Sequence, residues 1–190
     1  MRDRWTSLTP RAGLPLLAML AMAYVAGAEE AGTAVATSGA AALSSSAGVL
    51  MADRLVVRKS ERRLYAMRAG RVLREYRVAL GLSPQGHKQR EGDFKTPEGQ
   101  YKLIRRNPRS DFFLSMEISY PNPADQVRAQ RHGVRPGGAI MLHGWPNAPR
   151  KTAEYYKSAD WTDGCIAVSN SDMVEIWLMT PVETPIDILP

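Results

Sequence analysis

What this sequence lacks narrows its reading first. Cys165 is the single cysteine among 190 residues, so no disulfide can close within the chain. Only three histidines are present, His87, His132 and His143. No Cys or His pair has the short spacing of a metal-ligand set, so no metal and no cofactor is expected. There is no Walker A loop, no dinucleotide-binding glycine pattern and no internal repeat. Acidic residues number 19 against 25 Lys and Arg, for a formal net charge of +6. The basic balance invites a nucleic-acid reading, but no binding motif accompanies it and no nucleic-acid partner is expected.

What is present begins with a leader. Arg2, Arg4 and Arg11 precede the apolar run "AGLPLLAMLAMAYVAGA", which ends in the small residues Ala26, Gly27 and Ala28. Residues 1–28 therefore read as a signal peptide cleaved after Ala28, which places the protein in the periplasm or cell envelope. An uncleaved membrane anchor is the alternative, since the run is near the length where signals and spanning helices overlap. Residues 29–52, rich in Ala, Ser and Gly, read as a flexible tether. The folded unit is expected over residues 53–190, long enough for one core without disulfide staples.

Within that unit, "LVVRK", "RRLYAMR" and "RVLREYRVALG" alternate apolar residues with arginine, with breaks at Ser60-Glu61 and Ala69-Gly70. This is the pattern of an antiparallel meander. A long shaped loop follows, then a strand near residues 101–104, a strand in "FFLSMEISY" and a helix ending at Gly133. "GGAIMLHG" reads as an apolar strand that delivers His143 at its end. After Cys165, Asn170 or Ser171 is the expected cap of a helix that places Met173, Ile176 and Trp177 inward and stops at Pro181. "TPIDILP" reads as the last strand.

A lone cysteine is ordinarily a small core hydrophobe, but in an oxidising compartment a free thiol needs a reason. Cys165 lies in the turn-rich "DWTDGCIAVSN" and qualifies as a nucleophile, with His143 as its base. The amides around Gly164 and Cys165 can stabilise an oxyanion, and the Gly144 carbonyl is the nearest acceptor for the second imidazole nitrogen. The Asp163 carboxylate disfavours a thiolate by its charge, so it is expected to pair with a cation or cap the turn. His87 and His132 read as loop or surface residues.

The segments "IMLHGW" and "DWTDGCIAVSNSDM" resemble the YkuD-type L,D-transpeptidase catalytic domain of bacterial cell-wall enzymes, the ErfK/YbiS/YcfS/YnhG group. "GDFKTPEGQYKL" and "ETPIDILP" are similar to further segments of that domain, and the likeness spans residues 53–190. The resemblance implies a mostly β, β-sandwich-like domain with one or two short helices. It implies Cys165 as nucleophile, His143 as general acid and base, the Gly144 carbonyl as its orienting group, and Gly164 in the oxyanion-hole region. Thr162 matches the family's Ser or Thr, while Asp163 stands where a histidine is more usual, a departure that bears on substrate choice. Thr162, Asp163, Trp145 and Tyr120 are expected to contact substrate, with Trp161 as a further cleft wall.

The activity implied is L,D-transpeptidation of peptidoglycan. Cys165 would form a thioester with the diaminopimelate carbonyl of a tetrapeptide stem, release D-alanine and pass the acyl group to an amine. Two alternatives stand beside it: an L,D-carboxypeptidase or amidase using the same pair with water, and a non-catalytic wall-binding module. Arg105, Arg106, Arg109, Arg131 and Arg135 are expected near the site strands, where they could grip stem carboxylates or simply form solvated faces. Thiol labelling separates these readings: a catalytic cysteine with a depressed pKa is expected to react with iodoacetamide well below about pH 8, and a buried or decayed one is not.

Overall fold

The computed structural model describes residues 50–190; the expected leader and all but the last residues of the tether lie outside them. The expected meander is present as β1 (Arg54–Arg58), β2 (Arg63–Arg68) and β3 (Arg71–Arg77). On β1 and β2, Leu55, Val57, Leu64 and Ala66 are buried in alternation with more exposed residues, the two-residue period of a sheet with one wet face, whereas on the outer strand β3 only Tyr76 is buried and Val72 is exposed. Ala69 and Gly70 both have positive φ, 47° and 75°, and turn β2 tightly into β3.

The strand expected near residues 101–104 is much longer. β4 (Gly99–Ser110) pairs through Gly99–Lys102 with β8 (Pro185–Leu189), and through its later residues with β5 (Phe113–Ile118). Its register with β5 shifts between Leu103 and Arg105 and again before Ser110, irregularities that let one strand serve two half-sheets. β6 (Met141–His143) and β7 (Ile166–Ala167) complete the order β3-β2-β1-β8-β4-β5-β6-β7. The outer edges then meet, because Ala79, just past β3, exchanges backbone hydrogen bonds with Ala167 at 2.8 and 2.9 Å.

Inside the closed sheet Leu103, Met116, Ile118, Leu142, Ile166, Ile186 and Ile188 pack with Met173 and Ile176 of α3 (Asn170–Met179). Each such side chain contributes about 1.5–3 kcal/mol by leaving water. The cap of α3 is Ser169, whose hydroxyl accepts the Asp172 amide, rather than Asn170 or Ser171. Asn170 is diverted because its side-chain oxygen accepts the Trp145 amide at 2.7 Å. Trp177 of this helix is only partly buried. α1 (Pro123–Arg131) starts in a capping box between Asn122 and Asp125. A third short helix, α2 (Ala153–Ser158), was not legible, because Tyr156 is its one buried side chain.

The loop over residues 83–98 is held from within. Asp93 accepts the Gln89, Arg90 and Lys95 amides and pairs with Lys88 at 2.8 Å. Burial alone would raise the Asp93 carboxyl, but these donors outweigh it and hold it below the usual range. The buried Lys59 ammonium ties the loop to the sheet through Glu98 and the Gly86 and Thr96 carbonyls.

Candidate active site

β6 carries His143 between two partners, pairing it with Ser115 on β5 and with Ala167 on β7. The imidazole is buried between Phe112 and Trp161, with ring centroids 4.6 and 5.7 Å away. Nδ1 lies 2.6 Å from the Gly144 carbonyl. A carbonyl only accepts, so Nδ1 carries the proton of the neutral ring and Nε2 keeps the lone pair. Burial lowers the His143 pKa to about 4 despite the opposing Gly144 bond, leaving a neutral base at pH values near 7.

The Gly144 carbonyl is itself held in place. The Gly144 amide donates to Phe112 O and Leu114 O, each at 3.1 Å. A Cβ at this position would fall 2.6 Å from Asn170 Oδ1 and displace the side chain that accepts the Trp145 amide.

Cys165 immediately precedes β7. Its Sγ accepts the Met141 amide at 3.4 Å and lies 3.7 Å from Ala139 O. Burial pushes the thiol above its ordinary value, the Met141 amide pulls it down, and Asp163 pushes it up again. The depressed thiol expected from the sequence is therefore overturned, because desolvation outweighs the single amide donor. Both groups are thereby held toward their neutral forms.

Thr162 and Gly164 shape the turn in ways the sequence did not reveal. Thr162 Oγ1 donates to Cys165 O at 2.7 Å and accepts the Gly164 amide at 3.2 Å. Buried and occupied by both bonds, Thr162 positions the cysteine while also lining the cleft that His143 and Cys165 share. The Gly164 amide is thereby engaged, whereas the Cys165 amide has no acceptor among the described residues and is the donor left for an oxyanion. Gly164 has φ +126°, and a Cβ there would fall 2.6 Å from Lys95 O, so its role is the packing of this turn against the loop. Asp163 is exposed at the cleft and neither pairs with a cation nor caps a turn among the described residues, contrary to expectation.

His143 and Cys165 share a cavity of about 430 Å³ whose walls include Phe112, Ser115, Met141, Trp161 and Asp163. Trp161 is thus the wall expected of it, but Trp145 and Tyr120 are not. Trp145 stacks on Tyr156 at 5.9 Å and lines a separate hollow. Tyr120 is buried with its hydroxyl on Pro136 O at 3.1 Å. Phe112, Ser115 and Met141 were missed because only strand pairing brings them to the thiol.

Of the arginines, Arg105 and Arg106 line a hollow beside the cleft. Arg135 pairs with Glu91, and Arg131 ends α1 away from the cleft lining. Arg109 is exposed on β4. His132 caps the end of α1, and His87 is a half-buried loop residue as expected, its ring accepting the Glu98 amide at 3.0 Å and lying 3.1 Å from Asp125.

Residues 52–188 match the family model of the YkuD L,D-transpeptidase catalytic domain. The chain belongs to this L,D-transpeptidase family. Over 75 residues it is 36% identical to YafK of Escherichia coli K12, named a putative L,D-transpeptidase, a stretch covering 38% of this chain and 28% of YafK. Among solved structures, the helical cell shape determining protein Pgp2 of Campylobacter jejuni is similar at 29% identity and a TM-score of 0.54. That likeness covers 70% of this chain and 46% of Pgp2. Bd1075 of Bdellovibrio bacteriovorus shares the fold, at 24% identity and a TM-score of 0.51 over 74% of this chain and 51% of Bd1075. The chain spans about half or less of the length of each of these relatives.

Proposed function

We propose that this L,D-transpeptidase family member is exported, with residues 1–28 as its leader, and performs cysteine-dependent acyl transfer on peptidoglycan stem peptides. The observation that carries the reading is the shared cleft: Cys165 Sγ opens into the cavity that holds His143, whose Nδ1 proton is committed to Gly144.

The chemistry starts from the neutral pair. His143 Nε2 takes the thiol proton as Sγ attacks the diaminopimelate carbonyl of a tetrapeptide stem, and the Cys165 amide faces the oxyanion. Collapse breaks the amide bond, the proton passes from His143 to the departing D-alanine amine, and a thioester remains on Cys165. An amine of a second stem then attacks with His143 accepting its proton, and breaking the C–S bond returns that proton to sulfur. Buried aromatic walls keep His143 neutral, which suits it to accept protons in both steps.

The test uses the full chain mixed with purified muropeptide tetrapeptide, beside Cys165→Ala, with products weighed by mass spectrometry. A Cys165-dependent dimer that has lost one D-alanine supports transpeptidation. Monomeric tripeptide alone assigns water as acceptor and an L,D-carboxypeptidase activity. Unchanged stems in both samples contradict acyl transfer on this substrate and favour a wall-binding module.

A further inference from the structure

The sheet face that carries Cys165 continues beyond the cleft. Strand pairing sets Arg105 opposite Glu117, and Glu117 opposite Met141. Cys165 precedes Ile166, the partner of Leu142, and so lies level with Met141, whose amide reaches Sγ at 3.4 Å. Arg105, Glu117, Met141 and Cys165 form one row on one face, while Met116, Leu142 and Ile166 fill the core beneath. Along this row a hollow of about 310 Å³ adjoins the Cys165 cavity, and Ser115 and Met141 line both. In the hollow the Arg105 guanidinium meets the Glu117 carboxylate at 2.7 Å, with the arginine side chain 70% exposed. With Arg105 largely in water and Glu117 mostly covered at 22% exposure, the pair holds a carboxylate at the wall of the hollow beside the cleft.

We propose that Glu117 and Arg105 recognise the donor's third-residue side chain, Glu117 binding its terminal ammonium and Arg105 its terminal carboxylate. The pair would select donors whose side chain ends in a second amino-acid centre. This inference rests on the acyl-transfer reading above. Reach supports it: Glu117 is two strands from Cys165, on the order of 10 Å at the usual strand spacing. Six bonds from a reacting carbonyl to a terminal ammonium extend roughly 7.5 Å, and the forming C–S bond and one hydrogen bond span the remainder. Charge order supports it too, since a zwitterion laid against an Arg–Glu pair meets an opposite charge at each end. A lysine side chain brings the ammonium alone and leaves Arg105 with nothing to gain. Arg106 is unsuited to the role, because its guanidinium stacks on Trp177 at 3.9 Å and bonds the Trp177 carbonyl.

The experiment compares the full chain with Arg105→Gln, Arg105→Lys and Glu117→Gln on tetrapeptide stems carrying diaminopimelate, its terminal carboxamide or lysine at the third position. Released D-alanine gives kcat and KM, and thermal melts confirm that each variant folds. The expected preference for diaminopimelate over lysine is about tenfold or more and lies in KM. Arg105→Gln is expected to bring the ratio close to one, Arg105→Lys to restore part of it, and Glu117→Gln to lower kcat/KM about tenfold on all three donors. Stem binding to the same variants made in Cys165→Ala gives an independent reading, with Kd expected to follow the same order. Turnover with the wild-type preference retained in Arg105→Gln, or with wild-type kcat/KM on all three donors in Glu117→Gln, overturns the subsite alone. Absence of Cys165-dependent turnover together with absence of stem binding removes the acyl-transfer reading, and the subsite with it.

Discussion

His143 gives its only ring proton to the residue that follows it: Nδ1–H donates to Gly144 O at 2.6 Å. One backbone carbonyl thereby fixes the tautomer, with no carboxylate in that place to pull the imidazole toward its charged form. Phe112 and Trp161 exclude water from the ring, and burial does the rest.

The first consequence concerns the pH profile. The base works only when neutral, so kcat/KM is expected to hold from neutral pH down to about 5 and to fall near the His143 pKa of about 4. Trp161→Ala admits water and should move that acid limb toward 6.5, while Trp145→Ala, outside the cleft, should leave the limb in place. A wild-type limb already near 6.5 would contradict the buried neutral base.

The same burial links stability to acid. The His143 pKa is depressed in the folded state relative to the unfolded value near 6.5, so its contribution is intact above 6.5. It is lost as pH falls from there through about 4. At about 1.4 kcal/mol per pH unit the whole window is worth roughly 3 kcal/mol. Urea titrations between pH 7 and 4 should show a shallower loss for His143→Asn, which keeps a donor for Gly144; equal slopes would refute the assignment.

Thiol labelling reports the other half of the pair. Burial pushes Cys165 above the ordinary thiol value of 9.0, so iodoacetamide should react slowly at pH 7 and keep accelerating through pH 9 without levelling off. Rapid labelling near pH 6, followed by mass spectrometry of the Cys165 peptide, would mean a resting thiolate and a different electrostatic balance.

Thr162 offers a test of positioning. Thr162→Val keeps the shape but removes the hydroxyl that joins Cys165 O to the Gly164 amide, and should cost about 1–3 kcal/mol in a denaturant titration. Because the turn carries the nucleophile, kcat should fall while KM changes little, and Thr162→Ser should recover most of both. Full activity in the valine variant would show that the turn holds without this bridge.

How far the sequence could be read follows from the range of the forces involved. Alternation made β1, β2 and β3 visible, since burial of one face acts residue by residue along a strand. Helix α3 is legible, but its cap lies one or two residues before the expected Asn170 or Ser171, because Asn170 is engaged by Trp145, a partner 25 positions away. His143 and Gly144 are neighbours in the chain, so their bond could be anticipated. The raised Cys165 thiol, the bridging role of Thr162 and the removal of Trp145 and Tyr120 from the cleft all depend on tertiary burial. Glu117 gave no signal at all, because only pairing across β4, β5 and β6 brings it into line with the thiol.

The most direct test of the central claim is intact-protein mass spectrometry of an acid-quenched mixture of the full chain and a tetrapeptide stem, followed by peptide mapping. The account predicts a transient adduct on the peptide containing Cys165, with the mass of the stem less one D-alanine, absent from Cys165→Ala and accumulating when acceptor is withheld. Cys165-independent release of D-alanine would contradict it.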